Sequence, residues 1–179
     1  ESEQLKRVFE LSRRRLSSFY LVDPKTVWES VVKHLCELFD CELVSLFLVD
    51  ENDASQLVLE SQHPPRPSGL GRLRVPIESR SGAGLTSHVA ASGETISLNE
   101  SDIASNVFVK DHKPTYLRSG LCYSVLYVPL KNRKSHLLGL LRLNNRSITH
   151  TDRHVPFSNS DTLAMHLLAT HIVSLLENR

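Results

Sequence analysis

Apolar residues recur along the chain with two periods, and the alternation between them outlines the elements. From Glu1 to Tyr20, Leu5, Val8, Phe9, Leu16 and Phe19 follow roughly helical spacing, interrupted by Ser12, with Arg13, Arg14 and Arg15 solvated beside the stripe. Asp23 before Pro24 reads as an N-cap followed by proline in the first helical turn. Behind it, Val27, Trp28, Val31, Leu35, Leu38 and Phe39 form one apolar helical face. The period then drops to two. In ELVSLFLVD, Val44, Leu46 and Leu48 point one way, while Leu43, Ser45, Phe47 and Val49 point the other. A strand apolar on both sides is expected at the centre of a sheet covered on both faces.

The polar Glu51-Asn52-Asp53 turn leads to a second strand, Gln56 to Ser61, which predicts a hairpin. The segment from His63 to Gly69 is loop by composition, and a third strand is expected from Arg72 to Ile77, confined to an edge or strand end by Pro76. After the loop from Ser81 to Gly84, a short helix from Leu85 to Ala91 is expected to close at Gly93. Ser101 to Ser119 reads as a long loop holding a short helix. Two strands follow, Tyr123 to Leu130 and His136 to Asn144, joined by a turn at Lys131 to Lys134. Ser158 and Asp161 form a capping-box pattern, and Leu163, Leu167, Leu168, Ile172, Leu175 and Leu176 continue a helix to the end. The order ααβββ-α-loop-ββα indicates a mixed α/β (α+β) domain with an antiparallel centre.

Composition narrows the function classes. The 179 residues carry 40% apolar and 23% charged side chains and a formal charge of +1, which suits one folded domain and gives no basic surplus for nucleic acid. No apolar run approaches the roughly 20 residues that span a bilayer, so membrane insertion is not expected. The three cysteines, Cys36, Cys41 and Cys122, are too few for a disulfide framework and fit packing in a reducing cytoplasm. The chain opens at Glu1 without a methionine or a targeting segment, which points to a piece of a longer polypeptide.

Several segments together resemble a GAF domain, the small-molecule sensor module of signalling proteins: CELVSLFLVDEN, GLTSHVAASGETISL, SVLYVPLKN, LLGLLRLNNR and FSNSDTLAMHLLATHI, in that order. The resemblance covers about Val27 to Glu177 and divides the chain into a connector helix, 1–23, and a GAF domain, 24–179. It implies a central antiparallel sheet with the terminal helices on one face and a short helix and loops covering a ligand pocket on the other. The nearest likeness is to the regulatory GAF domains of cyclic-nucleotide phosphodiesterases and related cyclases, whose signature reads N-K-xn-F-x3-D-E. Asn145, Arg146, Phe157 and Asp161 match it, with Thr162 where the family has Glu. Arg146 keeps a cation for Asp161, so the resemblance implies a bridge between the last strand and the closing helix.

Carried over by position, the resemblance places Ser45 on the first strand as a polar ligand contact and Leu85, Thr86 and Ser87 at the start of the covering helix, whose backbone N–H groups suit a phosphate or carboxylate. Asp102, Thr115 and Tyr116 fall in the lid-like stretch, and Tyr123 offers an aromatic face from the next strand. Three features of the pocket region depart from the family, one of them the unusually proline-rich loop from His63 to Gly71. Ser87 stands where relatives carry a second glycine, which hinders close approach to a phosphate. Arg142 replaces a frequent Glu or Gln; facing the pocket it suits an anion, and facing outward it is a surface charge.

Other chemistries find fewer of their parts. The GAF-type free-methionine sulfoxide reductases need a pair of thiols, and only Cys122 lies near a required place. No Cys-His dipeptide marks bilin attachment. Among nine histidines, His150 and His154 lie in a loop, and His166 and His171 are about 140° apart on a helix. No metal site is expected. The expected function is therefore a non-catalytic regulatory domain of a larger signalling protein, its ligand a small molecule such as cyclic AMP or cyclic GMP. Terminal helices pairing across a homodimer would relay binding to an output domain of the longer protein, such as a phosphodiesterase catalytic domain. The alternative is a ligand-free GAF domain serving dimerisation or a protein partner, and the reductase ranks third.

Overall fold

The doubly apolar segment after Asp40 becomes an interior strand. In the computed structural model, which describes residues 23–81, 83–108, 121–147 and 153–178, Cys41–Val49 (β1) pairs antiparallel with Gln56–His63 (β2) on one side and Leu137–Arg146 (β6) on the other. Arg74–Pro76 (β3), Ile96–Asn99 (β4) and Ser124–Lys131 (β5) complete a six-stranded sheet in the order β3-β2-β1-β6-β5-β4. Every pairing is antiparallel. The helix expected over Glu1–Tyr20, together with Thr115, Tyr116 and His150, lies outside the described residues.

Alternation along the strands sorts two cores. Val44 and Leu46 of β1 join Leu126, Val128, Leu141 and Leu143 beneath helices Pro24–Leu38 (α1) and Asn159–Glu177 (α4). Phe47, Leu57, Val125, Tyr127 and Leu140 face the opposite way, against Leu85–Ser92 (α2) and Ile103 of Glu100–Ser105 (α3). Each fully buried leucine or phenylalanine contributes about 1.5–3 kcal/mol. Gly139 of β6 has a packing reason, because a Cβ there would overlap the Phe47 carbonyl oxygen.

The helices start and stop where side chains dictate. The Asp23 carboxylate accepts from Thr26 N–H at 3.3 Å to open α1. At α4, Ser158 Oγ accepts from Asp161 N–H at 3.1 Å while Asp161 accepts from Ser158 N–H at 2.7 Å. Gly93 closes α2 with φ +63°, a conformation suited to glycine. Among the described residues, no helix is long and apolar enough to cross a membrane.

Three expectations are corrected. The stretch after Gly93 holds β4, whose four residues carry only Ile96 and Leu98 as alternating apolar positions, too short a run to register as a strand. In α1, Val32 is fully buried, whereas Val31 and Leu38 are only half-buried. In α4 the sheet-facing side is built from Ala164, Met165, Ala169 and Ile172, with Leu163 at 55% and Leu167 at 48% exposure on the outside. The small alanines let that face settle onto the sheet, and the leucine stripe is left over. Cys36 and Cys41 are free, buried thiols at the α1–β1 junction, with Cys36 Sγ donating to the Cys41 carbonyl at 2.8 Å.

Candidate functional site

On the α2 side, strand register assembles a polar row that no single segment reveals. Gln62 of β2 lies opposite Ser45 of β1, Ser45 opposite Arg142 of β6, and Arg142 opposite Tyr127 of β5. The row is bounded by the apolar ranks of Phe47 with Leu140 on one side and Leu43 with Val125 on the other, the latter rank also carrying Asn144. Ser45 is completely buried and accepts from Arg142 Nη2 at 3.2 Å. The guanidinium carbon sits 5.4 Å from the centre of the Phe47 ring, within cation–π range. Arg142 therefore faces inward. Its Nε is buried without a hydrogen-bond partner, and among the described residues no carboxylate pairs with it.

The covering helix adds one hydroxyl to this row. Thr86, 2% exposed, shares a 3.2 Å hydrogen bond with the Tyr127 hydroxyl. Leu85 packs into the apolar core beside it. Ser87, expected as a ligand contact, is instead turned to the loop after β3: its hydroxyl contacts the Pro76 carbonyl, lies 3.1 Å from the Glu78 carbonyl and accepts from Glu78 N–H at 3.3 Å. A serine in place of glycine thus ties α2 to the sheet edge. Asp102 is likewise employed elsewhere, closing the capping box of α3 with Asn99 at the exposed surface. Tyr123 stacks on His154 with ring centroids 4.5 Å apart, so the aromatic residue aligned with Ser45 and Arg142 is Tyr127.

Tyr127, Gln62 and Asn144 were not singled out from the sequence. Counting alternate positions through SVLYVPL puts Tyr127 and Val125 on one face, which is a usable signal. Gln62 carries no such signal, because a bulge between its position and Leu59 resets the count. Asn144, 3% exposed, has a buried Oδ1 without a hydrogen-bond partner, and its Nδ2 donates to Cys122 Sγ at 3.4 Å. Burial pushes the Cys122 thiol up, outweighing the Asn144 hydrogen bond and the Arg142 charge that act the other way. It is a poor thiolate at neutral pH.

The four signature residues form one brace at the strand end. Asn145 adopts φ +55°, which asparagine tolerates. Its Oδ1 accepts from Tyr123 N–H at 2.7 Å and Ser124 N–H at 3.3 Å, and its Nδ2 donates to Glu42 and to the Leu121 carbonyl, each at 2.8 Å. Arg146 Nε lies 2.9 Å from Asp161 Oδ2, joining β6 to the first turn of α4, with Phe157 buried in the core beside them. All four hold the frame and none reaches the polar row. Among the described residues, no three His, Cys, Asp or Glu side chains cluster as a metal site would require.

The sequence model of the GAF domain family matches residues 23–176, and the chain belongs to that family. Modules of this kind are typically regulatory or sensory parts of signalling proteins. No curated protein sequence matches the chain. Among solved structures, the GAF domain of an Acinetobacter phosphoenolpyruvate-protein phosphotransferase is similar over 98% of this chain and 92% of its own, at 18% identity and a TM-score of 0.68. A free methionine-R-sulfoxide reductase from Neisseria meningitidis, solved with its substrate, is similar over 98% and 87%, at 21% identity and a TM-score of 0.64. A methyl-accepting chemotaxis protein segment is similar over 98% and 95%, at 14% identity and a TM-score of 0.65. At these identities the likeness concerns the fold.

Proposed function

We propose that this GAF domain senses a small molecule bearing an anionic group, held on the sheet face by Arg142. The observation that carries the reading is the half-buried guanidinium itself, oriented by Ser45 and Phe47, with Nε unpartnered and, among the described residues, no carboxylate beside it. Moving a cation out of water costs several kcal/mol unless a counter-charge offsets it. Nε and a terminal nitrogen of arginine form a fork suited to two oxygens of one carboxylate or phosphate. The Tyr127 and Thr86 hydroxyls and the Asn144 carbonyl oxygen supply further polar groups for the remainder of the ligand.

Cyclic AMP and cyclic GMP are the first candidates, since their phosphate satisfies that requirement. The narrower resemblance to phosphodiesterase and cyclase modules rests on Asn145, Arg146, Phe157 and Asp161, which brace the frame rather than the ligand. Binding would be relayed by a differential affinity for two arrangements of the terminal helices. A homodimer through those helices fits the exposed Leu163 and Leu167, one turn apart on α4. The same stripe favours the second reading, a ligand-free domain used for dimerisation. A reductase reading draws less support, because the Cys122 thiol is held protonated by burial.

Mass spectrometry of the denatured protein after gentle purification separates the two leading readings. The sensing reading expects an anionic small molecule released from the wild-type protein and absent from Arg142→Met. A dimeric protein that releases nothing and responds to no added anion supports the scaffold.

A further inference from the structure

Asn144 follows Arg142 by two residues on β6, so both side chains leave the same face of the strand, with Cα atoms about 6.7 Å apart. Its cross-strand neighbours are Leu43 on β1 and Val125 on β5, neither of which carries a polar side-chain atom. The asparagine is nonetheless only 3% exposed. One half of its amide is satisfied. The Cys122 thiol is directed at the Ser124 carbonyl, 3.7 Å away, which leaves the sulfur to accept from Asn144 Nδ2 at 3.4 Å. That contact settles which end of the amide carries the oxygen, and Oδ1 has no hydrogen-bond partner.

Two neighbouring buried atoms of opposite sense are therefore left over. Arg142 Nε can only donate and Asn144 Oδ1 can only accept, and each is without a partner, so they do not serve one another. A native fold keeps few such atoms, because leaving one unpaired costs more than a hydrogen bond returns. A bare carboxylate or phosphate would serve Arg142 alone, since it brings no proton to Oδ1. A carbonyl oxygen beside the anion would face Oδ1 with a second acceptor. An ammonium would donate, but it would set a second cation beside the guanidinium, and among the described residues no carboxylate pairs with Arg142 to offset it. A hydroxyl donates without charge.

Resting on the reading of Arg142 as the anion anchor, we infer that the ligand carries a hydroxyl close to its anionic group and that Asn144 selects it by accepting a hydrogen bond from that hydroxyl. Two chemical sources have this pairing. One is a 2-hydroxycarboxylate. The other is a cyclic ribonucleotide, whose ribose 2′-hydroxyl neighbours the cyclic phosphate. Asn144 is then the specificity-determining residue of the sheet face, while Arg142 supplies the affinity for the anion.

Calorimetric titration of the 179-residue chain with matched probes tests this. One set is lactate, propionate, pyruvate and alanine; the other is cyclic AMP and cyclic GMP beside their 2′-deoxy forms. In at least one set the hydroxyl-bearing probe should bind about tenfold more tightly than its counterparts without the hydroxyl, and the set that does so decides the source. Asn144→Leu, with Asn144→Ala as a second variant, should cut that preference to less than about twofold while the probes without the hydroxyl bind as they do to wild type. Arg142→Met should abolish binding of every probe. Equal binding with and without the hydroxyl, or a preference that survives both Asn144 variants, overturns the role of Asn144 and leaves Arg142 as the anchor. Binding untouched by Arg142→Met, or no binding by any probe, overturns the anchor reading and this inference with it.

Discussion

Leu141 and Arg142 are chain neighbours on β6, yet they serve opposite faces of one sheet. Leu141 is fully buried among Trp28, Leu126, Leu143 and Met165 under the terminal helices. Arg142 lies over Phe47 in a row with Ser45 and Tyr127. The terminal-helix side spends nearly all its inward positions on packing, with the small hydroxyls of Ser61 and Ser124 as exceptions. The α2 side interrupts its packing with a polar row whose cation has no carboxylate partner among the described residues. A fold selected only for stability has no use for that row, so the contrast between faces is the strongest internal sign of a binding role.

Breaking the packed face should have the largest effect. Leu141→Ala is expected to lower unfolding stability by about 2–5 kcal/mol in a denaturant titration, since the neighbouring side chains cannot fill the void. Arg142→Met next to it should change stability by less than about 1 kcal/mol or raise it, because a half-buried cation without a counter-charge among the described residues is exchanged for an apolar chain. Equal losses at both positions would erase the distinction. The brace at the strand end comes next. Arg146→Met removes the cation from the Asp161 carboxylate, which is 2% exposed and keeps only its Ser158 hydrogen bonds, and should cost about 2 kcal/mol once the partial exposure of the guanidinium is allowed for.

The smallest effect is expected at the β1–β2 turn. Hydrogen bonding from Asn52 N–H, with Arg74 beside it, holds the Asp50 carboxyl below its ordinary range. A group whose folded value lies below its unfolded one stabilises the fold above the unfolded value. That stability is lost as pH falls below about 4. Asp50→Asn should flatten this acid limb in melting experiments while leaving the neutral-pH behaviour of Arg142 untouched; an unchanged limb would remove Asp50 from the account.

How far the sequence reaches differs between these same faces. The alternation in ELVSLFLVD assigned Val44 and Leu46 to one side and Ser45 and Phe47 to the other, as found, because period-two patterning is local. Capping at Asp23, Ser158 and Gly93 was legible for the same reason. The site was harder. Ser45 and Arg142 are distant in sequence and meet through strand register, which a linear pattern does not encode. Tyr123 seemed the natural aromatic, but its ring is engaged by His154, and the ladder brings Tyr127 into line instead. The leucines of α4 misled because hydrophobicity marked Leu163 and Leu167 for the core, whereas the close seat on the sheet needed the smaller Ala164 and Ala169. The β4 strand was too short to show a period.

The central claim is that Arg142 is the anion anchor of the sheet face, and paired melting curves test it most directly. Wild-type protein and Arg142→Met should be heated with cyclic AMP, cyclic GMP and a panel of small carboxylates and phosphates. The account predicts that at least one anion raises the wild-type melting temperature and leaves Arg142→Met unmoved. An anion that stabilises both proteins equally, or a wild-type protein indifferent to every anion while Arg142→Met is destabilised, would contradict it.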